Sequence, residues 1–257
     1  MNYKVGFIGM IKEELEQDLW GTLEKMAKLG YQGVEGEVIV GETAQATKEN
    51  RKRLEDLGMS CVAARCSHYK EEELPQAFET AHAIGAPFVA DYWAGPETQE
   101  ELDQLAEQLD RMAGKAEEAG LRLIYHNHEH EFQPKFGKKN HIRTFDYLYD
   151  NTEKLQFELD IAWCHFGGAD PVTVIRRCGD RIPVLHVKDL ADDGGRGYFA
   201  AVGVGVVDCF GAMEAAAARG TEWMVVEQDR PGRLSPMESA TASILNIREA
   251  GLHPVGS

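Results

Sequence analysis

Eight short apolar runs, each followed by a longer segment with helical spacing, constrain this chain more than any other feature. The runs read as strands over Lys4–Ile8, Gly33–Glu37, Ser60–Ala64, Phe88–Asp91, Arg122–His126, Gln156–Asp160, Pro183–Val187 and Trp223–Glu227. Between them, Leu15, Leu19, Leu23, Met26 and Leu29 form a stripe one helix face wide. Leu102, Leu105, Leu109, Met112, Ala116 and Ala119 form another. Glycines at 30, 58, 85, 120, 220 and 251 stand where a helix must release the chain into its next strand. Strands alternating with helices pair in parallel, and eight such units close a (β/α)8 TIM barrel. An open doubly wound sheet has the same beat with fewer strands. The first strand also lacks the G-x-G-x-x-G loop of a dinucleotide fold. The expectation is one α/β domain over residues 1–257, a closed parallel sheet clothed by helices.

Composition narrows the partners. A net charge of −16 over 257 residues disfavours binding to a phosphate backbone, and the Lys/Arg cluster between Lys48 and Arg53 reads as a solvated helix face. No nucleic acid is expected. The five cysteines form no C-x-x-C pair, so neither a disulfide framework nor a thiolate zinc site is indicated. No apolar run approaches the roughly 18 residues of a membrane span, and no signal peptide is read at the start. These features lead us to expect a cytoplasmic protein with no membrane partner; a homo-oligomer is compatible with them.

In a TIM barrel the groups at the C-terminal strand ends converge on one mouth. Here those ends carry Glu35 or Glu37, Arg65 and His68, Asp91, and the run Tyr125-His126-Asn127-His128-Glu129-His130-Glu131. They continue with Asp160, with His186, Lys188 and Asp189, and with Glu227 and Asp229. So many acidic groups at one mouth repel each other unless a divalent cation compensates them. The expected ligands are Glu131, Asp160, His186 and Glu227, with His126 or His128 as substitutes for Glu131. A mostly oxygen site suits Mn²⁺ first, with Mg²⁺, Co²⁺ and Zn²⁺ compatible. Trp163 is expected to wall the pocket, Glu35 and Arg65 to face substrate, and His165 to reach substrate or hydrogen-bond a loop. Lys188 would stabilise a carbonyl oxygen or developing alkoxide, or form a salt bridge with Asp160 or Asp189.

Several of these pieces, in order, resemble the xylose isomerase-like sugar phosphate isomerase/epimerase family of TIM barrels. They are Gly30-Tyr31-Gln32-Gly33-Val34-Glu35, Tyr125-His126-Asn127-His128 with Glu131-Phe132, Asp160 with Trp163, His186-Val187-Lys188-Asp189, Val202 to Asp208, and Val226-Glu227-Gln228-Asp229. The resemblance implies a Glu, Asp, His, Glu metal site at strands five to eight. Asp160, His186 and Glu227 carry over directly. Family members that epimerise free ketoses have the strand-five glutamate near the place of His126. The His-Asn-His form is similar to inosose dehydratases and keto-sugar lyases as much as to epimerases.

The expected activity is isomerisation or epimerisation of a sugar or keto-sugar. A proton is removed beside the carbonyl by Glu227 or Glu131, and the enediolate is stabilised by the cation. A rival reading is a dehydratase or lyase of a keto-inositol or 3-keto-glycoside, with His126, His128 or His165 as acid. A non-catalytic sugar-binding barrel is the third.

Overall fold

The computed structural model describes residues 3–66, 70–191, 198–230 and 232–254. His68 and the Asp192–Gly197 turn lie outside the described residues. The strands are β1 (Lys4–Ile8), β2 (Gly33–Val34), β3 in two halves (Ser60–Cys61 and Ala63–Arg65), β4 (Phe88–Tyr92), β5 (Arg122–His126), β6 (Gln156–Asp160), β7 (Val184–Val187) and β8 (Trp223–Glu227). Each is parallel to its neighbours, and β1 lies between β2 and β8. The first half of β3 pairs with β2 and the second with β4. Val62, between the halves, donates its N–H to Val34 O at 3.0 Å. The two halves are therefore one stave, and the sheet closes as an eight-stave TIM barrel.

The helices form where their apolar stripes meet this sheet. Gln99–Glu118 opens with a capping box: Thr98 Oγ1 accepts the Glu101 N–H at 3.2 Å and the Glu101 carboxylate accepts the Thr98 N–H at 3.1 Å. Its stripe, Leu102 to Ala116, is buried against the barrel. The stripe from Leu15 to Leu29 is not one helix. Asp18 ends Lys12–Gln17 and caps Leu19–Leu29, its carboxylate accepting the Gly21 N–H at 3.0 Å. A short acidic side chain that competes for backbone N–H groups stops one helix and starts the next. At Gly30 a φ of 103° makes the left-handed exit expected of a helix C-terminus.

Alternation then sorts the side chains. One apolar cluster, Phe88, Ala90, Ile124, Val184, Trp223 and Val225 among its members, fills the barrel interior. A larger one lies between sheet and helices. Gly33 leaves room for Trp223, because a Cβ there would meet the indole at 2.4 Å. An antiparallel ribbon, Asp189–Leu190 with Phe199–Ala200, extends beyond β7. Among the described residues no helix is long and apolar enough to cross a membrane, and all five cysteines are buried with no disulfide between them.

Candidate metal centre and active site

The period of two that sends Ile124, Val184 and Val225 into the barrel sends His126, His186 and Glu227 the same way, toward the mouth. Register brings them together: His126 lies beside Glu158, and Asp160 beside His186. His186 is the centre. Its Nδ1 is 2.9 Å from Glu227 Oε2, and its Nε2 is 2.9 Å from Glu35 Oε2 and 3.3 Å from Glu158 Oε2. Glu158 Oε2 also meets His126 Nδ1 at 3.0 Å. Lys188, fully buried, points its Nζ at Asp160 Oδ2 (2.9 Å), Glu227 Oε2 (2.8 Å) and Asp229 Oδ2 (2.7 Å). One ligand atom from each of His126, Asp160, His186 and Glu227 lies within 4.8 Å of the others.

The charges do not balance. Glu35, Glu158, Asp160, Glu227 and Asp229 face two cations, Lys188 and His186. Burial opposes the charge on His186, but Glu158 and Glu35 outweigh it and hold the imidazolium well above the usual histidine range. Burial likewise opposes ionisation of Glu227, yet Lys188 and His186 keep its carboxyl well below the usual range. Two other carboxyls absorb the excess. Burial, then the charge of Glu158, pushes Glu35 up to about 7. Burial also raises Asp160 against the pull of Lys188. A buried cluster with more carboxylates than cations, and four nitrogen and oxygen donors facing one point, fits a divalent cation.

Glu131 does not join this cluster, contrary to the expected ligand set. After Asn127 the chain turns into a short 3-10 segment, His130–Phe132, that swings Glu131 behind the strand. Its carboxylate accepts the Tyr125 hydroxyl at 2.7 Å and the His128 N–H at 2.9 Å, and is completely buried there. His126 stands in its place as the strand-five donor. The His128 ring is 5.0 Å from that of His126 and 6.0 Å from Trp163. Burial, then the nearby His126 and Lys188, pushes its pKa down to about 2, and its Nδ1 has no hydrogen-bond partner among the described residues. Trp163 is a buried wall with Lys188 Nζ 5.1 Å from its ring. His165 is exposed near the end of the helix Ile161–Phe166. Glu35 reaches His186, while Arg65 is exposed and lines, with Glu35 and Glu37, a cavity of about 470 Å³ beside the mouth.

Glu158 and Trp93 went unread in the sequence, and Asp189 was read for another partner. Glu158 interrupts an apolar strand two residues before Asp160, and that spacing places both on one face. Asp189 forms no salt bridge to Lys188. Its buried carboxylate accepts the N–H groups of Leu190, Gly203, Gly205 and Val207 at 2.8–3.0 Å, fixing the loop that leads to the Asp208-capped helix. Trp93, just past β4, stands edge-on to His128 at 4.4 Å between ring centroids.

A barrel with this cluster at its mouth is a member of a known class. The chain belongs to the xylose isomerase-like TIM barrel family, whose model matches residues 23–250. Among curated proteins it is similar to an inosose dehydratase of Lacticaseibacillus casei, 27% identical over 160 residues, 56% of this chain and 52% of that protein. The chain thus spans about half the length of that relative. Among solved structures it is similar to a sugar phosphate isomerase/epimerase from Parabacteroides distasonis, with a TM-score of 0.79 and 20% identity over 98% of this chain and 96% of that one. The IOLI protein with a bound zinc atom has a TM-score of 0.74 and 17% identity over 96% of this chain and 97% of its own.

Proposed function

We propose that His126, Asp160, His186 and Glu227 hold one divalent cation and that the chain is an enzyme removing a proton beside the carbonyl of a sugar or cyclitol. The observation that carries this reading is the convergence of four ligand atoms within 4.8 Å at the mouth of the barrel. Two imidazoles and two carboxylates suit Mn²⁺, Co²⁺ or Zn²⁺ better than Mg²⁺. A cation bound there supplies Lewis-acid polarisation of the substrate carbonyl, which acidifies the neighbouring C–H.

The chain's own residues supply the rest. Glu227 is the base: it is held ionised, and its side chain is 13% exposed where Asp160 and Glu158 are closed off. Lys188 keeps that carboxylate in place at 2.8 Å and offers positive charge to an oxygen that becomes negative. Glu158 orients both histidines, as a carboxylate behind a ligating imidazole does.

Return of the proton to the opposite face needs a second open acid–base group across the substrate. On that side strand β5 presents imidazoles, and the unpartnered Nδ1 of the neutral His128 ring can hydrogen-bond a hydroxyl that departs with the proton Glu227 took from carbon. This wall favours loss of a β-substituent, a dehydratase or lyase outcome, over epimerisation. The reaction named for the curated relative is of the same kind.

Incubation with keto-inositols and 3-keto-glycosides in D₂O, with Mn²⁺ or Co²⁺ added, tests the reading. An enone product is the expected result. Deuterium at carbon without elimination would return the assignment to isomerisation. Neither outcome with any of these ligands, or full activity in chelator, would overturn the proposal.

A further inference from the structure

We propose that Glu131 is a positioning residue for Trp93, and that the Trp93 indole is a binding platform for a ring-bearing substituent of the substrate, one ring outward from the reacting carbons. This inference rests on the reading of the mouth cluster as the cation site, which fixes the end of the ligand that lies on the barrel axis.

Trp93 has a φ of 69°, a left-handed conformation that among the described non-glycine residues only Asn140 shares. For a bulky side chain that backbone is strained, and it persists only where its surroundings impose it. The side chain is also 47% exposed, whereas Trp163 and Trp223 are buried. Core burial therefore does not explain the conformation.

A network centred on Glu131 does. The Tyr125 hydroxyl donates to Glu131 Oε1 at 2.7 Å and accepts the Ala94 N–H at 2.8 Å. His130 Nε2 lies 3.2 Å from the same Glu131 oxygen and 2.9 Å from Ala94 O. Both polar groups of the residue after Trp93 are thus held by partners of one buried carboxylate. Lys135 Nζ, 2.9 Å from Pro96 O, ties down the same segment further along. The second Glu131 oxygen takes the His128 N–H, so the platform and the neighbouring imidazole share one anchor.

The rings then run in sequence from solvent to the cluster. Trp93 is 4.4 Å from His128, His128 is 5.0 Å from His126, and His126 is 4.6 Å from His186, centroid to centroid. With His128 interposed, a ligand that meets both the cation and Trp93 carries a second ring. An exposed indole offers such a ring an apolar surface for the C–H groups of a pyranose or the face of an aryl group.

The test compares binding of p-nitrophenyl β-glucoside with that of a single-ring cyclitol, myo-inositol, by calorimetry in Co²⁺-loaded protein. Trp93→Ala is expected to weaken glycoside binding about tenfold and Trp93→Phe by no more than about threefold, with cyclitol binding unchanged in both. Glu131→Gln is expected to weaken glycoside binding, to increase iodide quenching of the exposed tryptophan, and to leave Co²⁺ affinity unchanged. Equal glycoside binding by wild type and Trp93→Ala overturns the platform. Loss of Co²⁺ affinity in Glu131→Gln, with quenching unmoved, overturns the positioning role. Failure of wild-type protein to bind Co²⁺ refutes the cation site instead, and the glycoside comparison, run without metal, then judges the platform by itself.

Discussion

The two ends of the barrel are built from the same strands and treat charge in opposite ways. At the N-terminal floor the interior is apolar, with Phe88, Val184 and Trp223 packed together. Its charges lie over the edges: the Arg122 guanidinium stands 4.1 Å from the Phe88 ring and binds Glu222 through two hydrogen bonds of 2.6 and 2.9 Å. Lys4 stands 5.1 Å from the Trp223 ring. At the C-terminal mouth the charges are inside, and Glu158, Asp160, His186 and Lys188 are all buried. The floor maximises apolar burial, the dominant stabilising term. The mouth carries groups whose desolvation opposes folding unless partners or a cation compensate them. Stability and chemistry are thus separated along one axis.

That separation can be broken or sharpened by substitution. The largest expected effect is at the mouth. Glu227→Gln should lower turnover of any accepted keto-sugar by about 10³-fold or more, because base and ligand are lost together. Turnover at the wild-type rate would remove Glu227 from both roles. At the floor, Trp223→Ala should cost about 3–5 kcal/mol in denaturant unfolding while leaving Co²⁺ affinity intact. A floor variant that lost the cation as well would show the two ends to be coupled.

Next in size is the cation itself. Mn²⁺ or Co²⁺ at a hundred times its dissociation constant should stabilise the protein by about 2.7 kcal/mol, seen as a raised Tm. His126→Ala should abolish that shift and Glu131→Gln should keep it. The reverse result would restore the ligand set expected from sequence. The smallest effect belongs to the floor's rim, where Glu222→Gln should change stability by less than about 1 kcal/mol, since an exposed pair is screened by solvent.

The strands were legible because period-two alternation and the spacing of the helices repeat eight times over. Lys4–Ile8, Arg122–His126, Gln156–Asp160 and Trp223–Glu227 have the bounds read from sequence. Asp160, His186 and Glu227 were legible for the same reason, since a polar residue ending an apolar strand of a barrel points to the mouth. Glu131 was not, because alternation carries no information once the strand ends. The Asn127 side chain replaces the next rungs of the ladder, donating to Asp160 O at 3.2 Å and accepting the Asp160 N–H at 3.0 Å, and the chain leaves the sheet there. Glu158 could have been found two residues before Asp160, but it was read as part of a strand and not as a charge facing inward. Nothing in the local pattern encodes the backbone of Trp93, which is imposed by partners of Ala94 and Pro96 that lie 31 to 39 residues from them along the chain.

The divided third stave gives the cylinder an uneven lacing. β2 holds each neighbour through two residue pairs, whereas β4 and β5 share five, as do β1 and β8. The loosely stitched side lies across the barrel from the staves that carry His126, Asp160 and His186. Thermal breathing is expected to start at that seam, and amides around Val34 and Val62 should exchange with deuterium before those around Ile124 and Leu185. Because Glu35 directly follows β2 and reaches His186 Nε2 at 2.9 Å, a wall that yields there loosens one carboxylate of the cluster while the staves bearing the donors hold.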